Sequence, residues 1–131
     1  MGSSAFFDSA VIEADMRDIY DRDIPWRVLQ RHTVLVTGAT GMLASYLIFF
    51  LIYLNEYHRA NIRIIVQVRS REKAMARFGE YARKDYFLIV THDLCTPWDV
   101  KEDIHYIIHA ASLASPQYYG TIPVEVAAPN A

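Results

Sequence analysis

The sequence predicts an α/β protein: the first half of a doubly wound parallel sheet, strand order 3-2-1-4, behind an N-terminal helical extension. Three observations predict it. Short β-branched runs alternate with segments of helical length, and one such run passes through two glycines straight into an apolar helix. The chain of 131 residues is also 53% apolar, which suffices for one packed core. Strands alternating with helices imply right-handed crossovers between parallel neighbours.

In chain order, residues 5 to 31 form an acidic amphipathic lead-in, with Val11, Ile12, Met16, Ile19 and Tyr20 at near-helical spacing and carboxylates on the other face. We read a helix there, followed by Pro25-Trp26 as an anchor. Thr33 to Thr37 is a β-branched run and reads as the first strand. A helix over about 41 to 56 follows. Its apolar heart, the thirteen residues Met42 to Leu54, includes Ser45, Tyr46 and Tyr53 and falls short of the roughly 20 residues that cross a bilayer, so no membrane partner is expected. Then come a strand Ile62 to Val68, a helix over about 71 to 83, and strands Tyr86 to Thr91 and His105 to His109. No repeat or Gly/Ser linker interrupts the chain, which divides into an extension, 1–31, and one domain, 32–131.

Net charge is −2 and the pI is near 6.2, with ten of the thirteen basic residues being dispersed arginines, so no nucleic-acid partner is expected. Cys95 is the only cysteine. It excludes an internal disulfide and a cysteine-rich zinc site, and favours a cytoplasmic location. Of the histidines, only His105 and His109 stand at i, i+4, and they flank a strand, so no shared metal is expected. The N-terminus carries no charged-then-apolar signal pattern.

The richest stretch is Val34-Leu-Val-Thr-Gly-Ala-Thr-Gly-Met-Leu-Ala44-Ser. Gly38 permits a sharp turn, Gly41 permits close approach of a pyrophosphate to backbone, and small Ala44 permits the helix to pack on the strand. The unpaired N–H groups of Thr40, Met42 and Leu43 at the helix start would face the anion. Gly-x-x-Gly also occurs in ligand-free turns; the strand before it and the helix after it favour a dinucleotide.

The end of the second strand should meet the adenosine ribose, where an acid suits NAD and an Arg suits the 2′-phosphate of NADP. This chain has Arg69-Ser-Arg71 there, which leans to NADP, although both arginines also suit a solvated helix start. After the third strand, Asp93 and the amide of Leu94 are placed to meet adenine, and Asp93 equally suits a turn. Small Ala110, Ala111 and Ser112 after the fourth strand leave room for the second ribose, or serve a tightly packed strand end.

Together these pieces resemble the extended short-chain dehydrogenase/reductase family, a Rossmann-type fold, and more narrowly its NAD-dependent sugar-nucleotide epimerases and dehydratases. The run His109-Ala-Ala-Ser-Leu-Ala-Ser-Pro-Gln-Tyr118-Tyr, with Pro123-x-Glu125 and Asn130, is most similar to the UDP-glucuronate decarboxylase branch. Pro25-Trp26-x-x-Leu29 resembles relatives from bacterial surface-polysaccharide biosynthesis. The resemblance covers about residues 33 to 131 and implies NAD or NADP as cofactor, a nucleotide-sugar substrate, a homodimer for the full enzyme, and substrate contacts at Ser115 and Tyr118. Two positions depart from the pattern: Ala44 replaces a third glycine, and Arg69 replaces the acid of NAD-using members.

In that family a Tyr-x-x-x-Lys pair supplies the base, its lysine lowering the tyrosine pKa as hydride leaves for nicotinamide. Here Lys73, Lys84 and Lys101 are preceded at that offset by Arg69, Glu80 and Pro97, so no catalytic residue is assigned. The expectation is therefore the cofactor-binding half of a larger enzyme, inactive alone and prone to self-association through an uncovered fourth strand. The alternatives are a noncatalytic dinucleotide-binding module and an NADP-dependent reductase with a non-sugar substrate.

Overall fold

The computed structural model describes residues 10–93 and 101–110. Leu94, Cys95, Ala111, Ser112, Ser115, Tyr118, Pro123, Glu125 and Asn130 lie outside them, as do residues 5 to 9 of the lead-in. The elements are α1 (Ala10–Asp21), a 3-10 turn (Trp26–Leu29), β1 (Thr33–Thr37), α2 (Met42–His58), β2 (Arg63–Val68), α3 (Arg71–Phe78), a 3-10 turn (Gly79–Arg83), β3 (Phe87–Thr91) and β4 (Tyr106–His109). The strands form one all-parallel sheet in the order β3-β2-β1-β4, the order the alternation predicts. Val36 sits beside Val66 on one side and Ile108 on the other, and Val66 beside Ile89.

Strand side chains alternate between faces, so Val34, Val36, Ile64, Val66, Val68, Phe87 and Ile89 form a single apolar layer that meets the helices. Helix α2 is apolar nearly all round because it lies between two partners. Ile48 and Ile52 are fully buried, and on its outer side α1 contributes Met16, also fully buried, with Ile12, Ile19 and Tyr20 packed around it. Val11 differs from the expected stripe: it lies five residues before Met16, off the 12/16/19 face, and is 69% exposed. Exposed pairs Arg17–Glu13 and Arg22–Asp18 occupy the outer surface of α1 and contribute little.

The expected helix over about 71 to 83 stops at Phe78. Gly79 adopts φ 58°, a left-handed conformation that glycine reaches without a Cβ clash, and the chain tightens into a 3-10 turn. Phe78 is fully buried, with its ring 5.4 Å from Phe49 and 5.3 Å from Phe87, so the end of α3 is pinned to both α2 and β3. The link from α2 to β2 is closed by Asn55, whose side chain donates to the Ile62 carbonyl at 2.9 Å and accepts from the Ile62 N–H at 2.7 Å. No helix among the described residues is long and apolar enough to cross a membrane.

The C-terminal end of α2 carries an aromatic cluster. The His58 ring stacks on Tyr20 at 3.6 Å and 4°, with Trp26 at 6.0 Å and Tyr53 at 5.3 Å. Its Nε2 is buried without a hydrogen-bond partner. Burial pushes the imidazole below its ordinary pKa, opposed by the Asp21 carboxylate.

Two outcomes are expected. Met16→Ala should cost about 2–4 kcal/mol in urea denaturation followed by tryptophan fluorescence, because it opens a cavity between α1 and α2. The second concerns pH. A folded state that keeps His58 neutral binds fewer protons than the unfolded chain below about pH 6.5, so stability falls as pH drops. His58→Phe preserves the stack and should flatten that slope when denaturation midpoints at about pH 7.5 and about pH 5.5 are compared.

Candidate functional site

Parallel strands all point the same way, so their exits share one edge of the sheet, the edge at which doubly wound folds bind ligands where the chain order reverses. Asp93 follows β3, Arg69 follows β2, Gly38 to Leu43 follow β1 and Ala110 follows β4, so all of these sequence-selected residues lie at that edge.

The turn after β1 is built from the backbone. Gly38 has φ 66°, which an L side chain rarely adopts, and the Gly41 N–H donates to the Gly38 carbonyl at 3.1 Å. Gly41 itself has φ −65° and ψ 158°, an ordinary extended conformation at the N-cap of α2. A Cβ placed on it would meet only the Gly38 carbonyl oxygen, at 3.4 Å, so the fold does not demand glycine at 41. The space beside it is open.

Gln67 holds this turn in place. It is 2% exposed, its Oε1 accepts from the Gly38 N–H at 2.9 Å, and its carbonyl accepts from the Ala39 N–H at 3.1 Å. Its Nε2 donates to the His92 carbonyl, which joins the exit of β3 to the exit of β1. On the other flank, the Ala110 N–H donates to the Thr37 carbonyl at 3.2 Å and to Thr37 Oγ1 at 3.0 Å, and His109 Nδ1 lies 2.9 Å from the same hydroxyl. His109 is thus tied to Thr37 while His105, at the opposite end of β4, accepts from the Thr33 N–H at 2.9 Å.

What remains available is specific. Among the described residues, no acceptor is paired with the N–H groups of Thr40, Met42 or Leu43, and the first turn of α2 carries no acid. The positive end of a 17-residue helix therefore faces open space with free donors. Met42 and Leu43 are 85% and 75% exposed, large apolar side chains at the mouth of the turn.

The two arginines separate. Arg71 Nη1 donates to the Ile89 carbonyl at 3.4 Å, a tie to β3, whereas Arg69 is exposed at the strand exit with no such bond among the described residues. Ser70 between them caps α3, its Oγ accepting from the Lys73 N–H at 3.2 Å. Asp93 is exposed at the β3 exit.

Sequence reasoning passed over three residues at this end of the molecule. Gln67 gave a readable signal, a lone amide inside Ile64-Ile-Val-Gln-Val68, since a polar residue in a buried strand must find partners. Lys73 and Arg77 gave none, because helical sequence does not show which neighbour a charged face will meet. Both line a cleft between α2 and α3.

Compared with known proteins, the chain matches no family model and no curated relative.

Gln67→Leu should leave the Gly38 N–H and the His92 carbonyl without partners, and a loss of about 1–3 kcal/mol is expected in chemical denaturation. Amide exchange at Gly38 should accelerate while exchange within β2 holds.

Proposed function

We propose that this chain is the cofactor-binding portion of an NAD(P)-dependent sugar-nucleotide epimerase, dehydratase or decarboxylase. The observation that carries the cofactor part is the turn: free N–H groups of Thr40, Met42 and Leu43 at a helix start, open space at Gly41, and exposed Arg69 at the next strand exit. Those groups fit a dinucleotide. The pyrophosphate would rest on the N–H groups and the helix dipole, and Arg69 would meet the adenosine ribose, where its guanidinium favours a 2′-phosphate. NADP is thus the preferred form, with NAD as the other candidate. Asp93 would accept from the adenine amino group, and the small residues Ala110, Ala111 and Ser112 would leave room for the second ribose.

When bound, the nicotinamide supplies a hydride acceptor for oxidation of a sugar hydroxyl. The residues of this chain contribute binding and orientation. Gln67 and Thr37 lock the turn from either flank, so that donors are aimed before the ligand arrives and little ordering cost is left for binding. The sugar-nucleotide part rests on the resemblance of the His109 to Tyr119 run, with Ser115 and Tyr118 as substrate contacts. A cytoplasmic homodimer of the full enzyme belongs to the same proposal.

A noncatalytic dinucleotide-binding module is the second reading. Both readings assign binding, not turnover, to the chain.

Calorimetric titration with NADP and with NAD tests the cofactor assignment. Gly41→Val should keep the fold, because the Cβ meets only one carbonyl oxygen, and should abolish binding of either dinucleotide. Undiminished binding by that variant would sink the phosphate-turn assignment. Arg69→Asp should shift the ratio of affinities towards NAD by roughly tenfold or more, the worth of a charge-assisted hydrogen bond. An unchanged ratio would remove Arg69 as the discriminator.

A further inference from the structure

An open cleft of about 780 Å³ lies on the helical side of the molecule. Its walls come from three helices: Ile12 of α1, Ser45, Tyr46 and Phe49 on successive turns of α2, and Lys73, Ala76 and Arg77 of α3, with Thr40 and Met42 at one end. Its volume falls within the roughly 300–1,000 Å³ of small-molecule sites.

The lining is amphipathic in a directed way. Ile12, Met42, Phe49 and Ala76 supply apolar surface, whereas Lys73 and Arg77 stand one turn apart on the same face of α3 and repel each other. Among the described residues neither cation has an ion-pair partner, although four other basic side chains of the fold do. Arg77 is held in place: its Nη1 donates to Ser45 Oγ at 3.2 Å, and that hydroxyl donates to the Ala39 carbonyl at 2.9 Å. The Asp15 carboxylate of α1 is already engaged, accepting from the Tyr46 hydroxyl at 2.6 Å. That bond, and burial after it, hold the Tyr46 phenol above its ordinary pKa, so the hydroxyl remains a neutral wall.

We infer that this cleft is a binding site for an organic phosphate monoester with a compact apolar body. The dianionic head sits between Lys73 and Arg77 within reach of the Thr40 hydroxyl, and the body lies against Ile12, Met42 and Phe49. A dianion matches two unpaired cations, and it relieves their repulsion; a neutral apolar ligand does neither. The site shares Thr40 and Met42 with the turn after β1, but both of its cations belong to α3, and the proposal does not rest on the dinucleotide assignment.

The test titrates 1-naphthyl phosphate into the full chain, read by calorimetry and by chemical shifts of the Arg77 guanidinium. Binding is expected, with 1-naphthol and inorganic phosphate each roughly tenfold weaker or more, since each keeps only half of the contacts. Lys73→Met combined with Arg77→Met should weaken 1-naphthyl phosphate by a similar factor. Ala76→Phe, an exposed helical position that should fold, should block the cleft while leaving NADP binding unchanged. Gly41→Val should leave 1-naphthyl phosphate binding intact. The proposal fails if 1-naphthol binds as well as its phosphate, if Ala76→Phe or the double variant binds normally, or if Gly41→Val abolishes binding and so moves the ligand to the turn.

Discussion

The geometry of the site depends on β1 being hydrogen-bonded along both edges. Its pairing with β2 and with β4 fixes the strand in two directions, so the residue that leaves it, Gly38, starts from an immobile point. An outer strand would have left that exit free to move with the sheet edge. From there only one device is needed, a polar residue on the neighbouring strand that catches the turn, and Gln67 is that device. Burying an amide among Ile65, Val66 and Val68 is unfavourable unless its groups are paired. Here the carbonyl oxygen, the amide nitrogen and the main-chain carbonyl of Gln67 each hold a different part of the carboxyl edge. The polar group thereby converts a desolvation cost into rigidity.

The helical layer follows from the same sheet. Because β1 and β2 present a continuous apolar face, α2 must be apolar beneath, and because α1 covers it, apolar above as well. The aromatic cluster of Tyr20, Trp26, Tyr53 and His58 closes one end of that sandwich, and the Asp15–Tyr46 bond fastens α1 nearer the other. One wall of the cationic cleft is therefore supplied by α1, and the docking of that helix is coupled to the shape of the cleft. On the far face of the sheet, Leu35 and Ile65 are 4% and 1% exposed, but Ile107 on the β4 edge, in register with them, is 64% exposed.

The architecture was legible because it rests on periodicity. β-Branched alternation, helix-length apolar runs and a glycine turn each leave marks within a few residues, and the strand order follows from alternation and handedness. What was not legible depends on contacts between distant residues. The stop at Phe78 needed Gly79 to be recognised as a left-handed cap instead of an interior helical residue. Val11 matched the composition of the α1 stripe but not its phase. Arg69 and Arg71 looked equivalent, and only the position of the Ile89 carbonyl separates them. Lys73 and Arg77 carried no site reading in the sequence, because what their shared face meets depends on α2. The site glycines were visible for the opposite reason, since their demands are on local backbone.

Gly41 separates what folding requires from what it tolerates. Gly38 is needed by its φ, but Gly41 adopts a conformation open to any residue, in space that accepts a Cβ. At an N-cap, Ser, Thr, Asp or Asn would accept from the first N–H groups of α2 and typically stabilise the helix by roughly a few tenths of a kcal/mol relative to glycine. Glycine forgoes that bond, and the helix begins with no side-chain cap and no acid in its first turn. A capping side chain would have consumed a donor and filled the space before it. The bare start keeps Thr40, Met42 and Leu43 N–H groups open in front of a 17-residue dipole, a choice that stability alone disfavours and that an approaching anion would repay.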